Sequence, residues 1–308
     1  MDNRETGGDA VSSVRVRIDL AYDGSAFSGW AAQPGLRTVQ GEIESALATL
    51  FSRDGDDRPR VVVAGRTDAG VHATGQVLHV DLDAARFAAL ARPDRGARTE
   101  HAALSPADAL ARRLGGIVGR DGDIVVHRAS LAPAGFDARF SPVWRRYEYR
   151  LADGRAPRDP RRRHDTLAVR DTLDLDAMNT AADALLGLRD FGAFCKPREG
   201  ATTVRTLQQY EWRETNDGVL VATVRADAFC HSMVRSLVGA AIAVGRGALS
   251  VEQLVAARDE AVRTSLFPVV APHGLTLVEV GYPPDHELAA RAQQTRAKRE
   301  IADGAPLP

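Results

Sequence analysis

The sequence predicts an α+β fold, and three observations carry the prediction. Short segments such as residues 14–20 and 144–151 alternate apolar and polar side chains with the period of two expected of half-buried strands. Between them lie segments with one apolar helical face, residues 39–51 and 176–188 among them. A turn signal, Asn216-Asp217-Gly218, separates two strand-like runs and predicts a hairpin. Strands joined by hairpins, with helices between them, point to a sheet covered by helices on one face.

The elements follow in order. Residues 14–20 form the first strand, and Tyr22-Asp23-Gly24 breaks it. Thr38 is placed to cap a helix over 39–51, with Val39, Ile43, Ala46, Leu47 and Leu50 on one face. Residues 60–63 and 76–82 read as strands rich in β-branched residues, and 84–104 as a variable connection containing Pro93 and Gly96. Ser105-Pro106 opens a helix to about residue 114, a cap followed by proline at the first helical position. Residues 124–127 complete the first unit. The second starts near Ser141, with a strand at 144–151, a loop at 152–166 and a helix at 176–188. Strands at 203–213 and 219–226 come next, then a long helix at 229–244. Ser250 caps a helix reaching about 261, and residues 275–280 are the last strand. The expected division is a tail at 1–12, an α+β domain at 13–140, a second at 141–284, and a polar helical or mobile tail at 285–308.

The chain has 308 residues, 44% apolar and 26% charged, with a formal net charge of -1. That composition suits a globular protein, and no apolar run approaches the roughly 20 residues of a membrane helix. The polar N-terminus lacks the apolar stretch of a signal peptide. Two cysteines, Cys195 and Cys230, are too few for a disulfide framework or a Cys-based zinc site, so a reducing cytoplasm is expected. Of 40 basic residues only Lys196 and Lys298 are lysine. Residues 139–170 hold ten arginines against four acids, a local basic stripe of the kind that meets a polyanion.

No P-loop, GxGxxG, HExxH or CxxC is present, so neither nucleotide nor metal chemistry has a ligand set. The densest polar stretch is Gly65-Arg66-Thr67-Asp68-Ala69-Gly70-Val71-His72-Ala73-Thr74-Gly75-Gln76, with three glycines in eleven residues. It follows a strand, where functional loops sit, and Asp68 at its tip is the outstanding carboxylate. An ionised carboxylate is favoured by a nearby guanidinium. Arg66 lies two residues away, and Arg235 sits on an otherwise apolar helix, where it needs a partner. Tyr147 and Tyr149 share one face of a strand beside Arg145 and Arg146, and such rings can stack an extruded base. A scaffold that only binds RNA has no need of a carboxylate beside phosphates. A glycosidase needs a second acid, and none stands out.

These residues, taken together, resemble the tRNA pseudouridine synthase A family. The likeness runs from about residue 14 to 283. Its segments are Tyr22-Asp23-Gly24 through Trp30, Arg37-Thr38-Val39-Gln40-Gly41, the Gly65–Ala73 signature, Arg145-Arg146-Tyr147, Asp190-Phe191-Gly192-Ala193-Phe194, Ala228–Arg235 and Gly274-Leu275-Thr276-Leu277. The chain departs from the family pattern at Ala31, Cys230, Ser232 and Thr276 and in a longer 84–104 connection. The resemblance implies two ferredoxin-like halves whose sheets join into one, with the active-site cleft between them. It implies an enzyme that isomerises uridine to pseudouridine at positions 38, 39 and 40 of the tRNA anticodon stem-loop, without cofactor or metal, as a homodimer. Asp68 becomes the nucleophile, and the target base is flipped out. Arg66 fills the vacated space or holds the flipped nucleotide, Tyr147 stacks on the uracil and assists proton removal, and Arg235 orients Asp68. Thr67, His72, Gln76, Arg145, Arg146 and Leu277 are expected to bind substrate. Arg161, Arg162 and Arg163 are expected to contact phosphates.

Overall fold

The computed structural model describes residues 12–52, 58–91, 104–198 and 202–296. Most of the expected N-terminal tail, residues 92–103 of the connection and residues 297–308 lie outside that set. Strand β1 (Ser13–Tyr22) buries Val16, Ile18, Leu20 and Tyr22 and turns the alternate residues outward. It lies between β3 (His72–Asp83) and β4 (Ile124–Leu131), antiparallel to both. Short β2 (Val61–Val63) adds to β3. Further along the chain, β5 (Trp144–Ala152), β9 (Leu220–Ala226), β8 (Val204–Glu214) and β7 (Gly187–Asp190) pair antiparallel in that spatial order, and β6 (Leu167–Ala168) adds to β5.

The last strand, β10 (Leu275–Gly281), joins the two sets into one ten-stranded mixed sheet. It runs parallel to β3, with Leu277 opposite Ala73, and antiparallel to β5, with Leu277 opposite Tyr147. Gly75 permits the junction: a Cβ there would stand 2.1 Å from the Val278 carbonyl oxygen. Glycine thus lets two main chains approach where a side chain would separate the strands.

The helices follow their capping signals. Thr38 accepts from the Gly41 amide to start α1 (Val39–Phe51), and Ser105 accepts from Asp108 to start α3 (Pro106–Val118). Ser250 and Gln253 form a reciprocal capping box on α6 (Val251–Glu260). The polar tail contains α7 (Leu288–Arg296), tied down by the Ser141 hydroxyl on the Leu288 carbonyl and by Arg291 on that of Pro142.

Four expectations need correction. The 84–104 connection opens with α2 (Ala84–Ala89), capped by Asp83. The helix expected over 176–188 is α4 (Leu175–Asp183); Gly187, at φ +98°, ends the segment and starts β7. The helix expected from 229 is α5 (Met233–Gly245), because Ser232 takes a left-handed φ of +65° that no helix continues through. The strand expected at 76 begins four residues earlier, which moves His72 out of the loop and onto β3. The two cysteines, 35 residues apart in sequence, lie side by side with Cα atoms 5.7 Å apart.

Candidate active site

The loop between β2 and β3 is tied down at several points by hydrogen bonds. The Ala64 amide donates to the Val77 carbonyl. The Ala64 carbonyl accepts from Arg145 Nε and Nη2 at 3.1 and 2.6 Å. Gln76, fully buried, donates to the Gly65 carbonyl at 2.9 Å and to the Tyr22 hydroxyl at 3.2 Å. The Thr67 hydroxyl shares a 2.8 Å hydrogen bond with Tyr22, and its carbonyl accepts from the Trp30 amide at 3.0 Å. Gly70, at φ +76°, turns the chain back toward β3. Hydrogen bonds at Ala64, Gly65 and Thr67 tie this partly exposed loop to its neighbours, so the backbone beneath Asp68 is anchored on both sides.

Asp68 is 32% exposed, so its carboxylate is accessible from solvent. Arg235, in the first turn of α5, donates from Nη1 to Asp68 Oδ2 at 3.2 Å and from Nε to the Val270 carbonyl at 2.7 Å. Its charge therefore has the partner its apolar helix demands. Tyr147 is buried on β5 with its ring edge-on to Phe229 at 5.1 Å. Burial, more than the nearby Asp68 charge, pushes the Tyr147 phenol up to about 12, with Arg145 pulling the other way. Arg66 is exposed and makes no hydrogen bond or ion pair among the described residues. The structure thus brings Asp68, Arg235 and Tyr147 together from three segments far apart in sequence, with an unengaged guanidinium two residues from the carboxylate. Among the described residues, no group of three or more His, Cys, Asp or Glu side chains is arranged to hold a metal.

Comparison with known proteins accords with that geometry. A family model described as tRNA pseudouridine synthase matches residues 181–283. The tRNA pseudouridine synthase A of Leifsonia xyli subsp. xyli is 57% identical over 289 residues, covering 94% of this chain and 99% of that relative. The chain belongs to the tRNA pseudouridine synthase A family. Relatives of the same description from Streptomyces avermitilis and Frankia casuarinae are 50% and 51% identical, covering 94% and 93% of the chain and 95% and 96% of the relatives.

Within this tRNA pseudouridine synthase A fold, the remaining expected site residues divide by position. Thr67 and Gln76 are buried and spend their polar atoms on the loop. Arg145 donates to the carbonyls of Ala64, Arg139 and Asp227, and burial lowers its pKa. These three residues brace the loop from beneath. Leu277 is fully buried beside Tyr147 in the sheet and supports the ring. Arg146 alternates with Tyr147 on β5, so it projects from the opposite face, where it pairs with Glu279 at 2.8 Å and Glu148 at 3.3 Å.

His72 is buried with both ring nitrogens engaged. Nδ1 accepts from the Gly24 amide at 3.1 Å, and Nε2 lies 2.7 and 3.1 Å from the carbonyls of His164 and His273. It staples the arginine-bearing loop and the turn before β10 to the start of β3. In that loop, Arg161 pairs with Asp159 and Arg162 with Asp165, all four at the surface, while Arg163 donates to the Pro160 carbonyl. Exposed pairs of this kind are weak.

Sequence reasoning gave no role to His231, whose Nε2 lies 3.6 Å from Asp68 Oδ1. The signal was available in the Ala228–Arg235 motif. A histidine four residues before Arg235 lies on the same side of a continuous helix, but the chain there is a turn, and only the fold shows where the ring points.

Proposed function

We propose that this isomerase of tRNA converts uridine to pseudouridine at positions 38, 39 and 40 of the anticodon stem-loop, with Asp68 as nucleophile and the target base flipped from the stack. The reading rests on one observation: Asp68 is ion-paired to a residue 167 positions away while remaining open to solvent beside Tyr147. A carboxylate held by Arg235 on one oxygen keeps lone pairs available for attack on the target nucleotide. The N-glycosidic bond then breaks, the uracil rotates, C5 bonds to C1′, the bond to Asp68 is released, and C5 gives up its proton while N1 gains one, so the product is an isomer of the substrate and the carboxylate is restored. Arg66 enters the space the base leaves. Tyr147 stacks on the uracil. A phenol titrating near 12 stays protonated at neutral pH, which suits packing and hydrogen-bond donation and disfavours a role as free base.

The same reading takes residues 13–140 and 141–284 as two ferredoxin-like halves meeting at β3 and β10, and two copies of the chain gripping one tRNA in the cytoplasm. It takes the protein side chains as sufficient for the reaction, with no cofactor or metal. Incubating the purified chain with an anticodon stem-loop carrying uridine at 38, 39 and 40 tests it: pseudouridine at those positions is expected, and product confined to other positions refutes the assignment.

The arginine loop carries a separate expectation. Replacing Arg161, Arg162 and Arg163 with Glu weakens tRNA binding and flattens the dependence of log K on log salt. Each lost phosphate contact removes about 0.7–0.9 from the slope. An unchanged slope in binding titrations shows that the loop stays in solvent.

A further inference from the structure

Residues 229–235 reach the site three times. Phe229 packs on Tyr147, His231 faces Asp68, and Arg235 donates to Asp68. Ser232, between the last two, holds a left-handed conformation unfavourable for any residue with a Cβ, which persists only where the surroundings fix it. The surroundings do so. The Lys196 amide donates to the His231 carbonyl at 3.0 Å, and the Met233 amide donates to the Cys230 carbonyl at 3.1 Å. The His231 ring itself is 49% exposed, so its placement comes from the chain beneath it and not from burial.

We propose that His231 is a positioning residue for Asp68, donating from Nε2 to Oδ1 while Arg235 donates to Oδ2; this rests on Asp68 being the nucleophile. The terminal torsion of an aspartate is broad. A single donor on Oδ2 leaves the carboxylate free to rock about that contact. A second donor on the other oxygen fixes the plane and aims its lone pairs into the cleft. At 3.6 Å the two atoms stand just beyond hydrogen-bond reach, and the proposal requires the contact to shorten by about half an ångström when substrate binds.

The test compares His231→Ala, His231→Gln, His231→Asn and Asp68→Asn in steady-state assays on an anticodon stem-loop, with melting temperatures checked alongside. His231→Ala is expected to lose about 100-fold in kcat, the scale of a misaimed reacting group, with KM within about twofold. His231→Gln, whose amide nitrogen reaches the place of Nε2, recovers about tenfold of the loss. His231→Asn, whose amide reaches only the place of Nδ1, remains as slow as the alanine variant. A purely structural role has no reason to separate Gln from Asn. The proposal is overturned if His231→Ala keeps wild-type kcat while Asp68→Asn is inactive, if Gln and Asn behave alike, or if the loss falls on KM, which marks an RNA contact. An active Asp68→Asn overturns the underlying reading instead.

Discussion

Asp68→Asn abolishes pseudouridine formation while the protein still folds and binds tRNA. The substitution is nearly isosteric. The amide oxygen can still accept from Arg235 Nη1 at the position of Oδ2, now 3.2 Å away, and the main-chain contacts of the loop do not involve the side chain. What disappears is the nucleophile. Removing a nucleophile that works with a positioned partner costs on the order of 10⁴-fold or more in kcat. Binding responds in the opposite sense, because a negative charge has left a surface that meets phosphates. The dissociation constant for an anticodon stem-loop is expected to stay the same or tighten slightly. Gel shift and product mapping on one RNA measure both quantities. Retained turnover removes Asp68 from the chemistry, and equal loss of binding and turnover makes it a folding or docking residue.

The sequence points to a candidate site more readily than to the contacts that hold it. The Gly65–Ala73 segment is legible because glycines, a lone carboxylate and a position after a strand coincide. Helices with strong caps, Thr38 for α1 and Ser105 for α3, start where expected, since a cap is a local interaction. Long-range pairing is not local. Nothing in residues 275–281 announces that they lie between β3 and β5, although that placement sets Leu277 beside Tyr147. The early start of β3 was hidden for the same reason: His72, Thr74 and Gly75 read as loop residues until β10 is beside them. Burial also changed roles. The resemblance assigned His72, Gln76 and Arg145 to the substrate, and in the structure each makes hydrogen bonds to main-chain atoms around the loop. Arg146 differs from Tyr147 by one residue, and in a strand one residue is the other face. The left-handed Ser232 defeated the helix expected from Phe229, and no helix propensity encodes a strained serine at that point.

Arg235→Met is expected to lower kcat by about 100-fold or more, the second largest effect among single substitutions at this site. Methionine keeps much of the apolar stem that packs along α5 and removes the guanidinium. Two acceptors lose their donor at once: Asp68 Oδ2, and the Val270 carbonyl in the segment before β10. That segment also supplies the Ala271 carbonyl that accepts from Tyr149, so the damage extends beyond the carboxylate to one wall of the cleft. Stability falls as well, because removing one member of a partly buried, hydrogen-bonded pair leaves the other without compensation; about 1–3 kcal/mol is expected for a pair still open to solvent on one side. Arg235→Lys separates the two contributions. An ammonium restores charge near Asp68, but a single point donor cannot serve Asp68 and Val270 together as the planar fork does. It should therefore recover part of the melting temperature and little of the rate. If Lys restores the rate fully, charge alone is what Asp68 requires of α5, and the bidentate geometry is incidental. If Met leaves the rate within a few-fold of wild type, the ion pair across the two halves of the sheet is a fastening of the fold and no part of the chemistry.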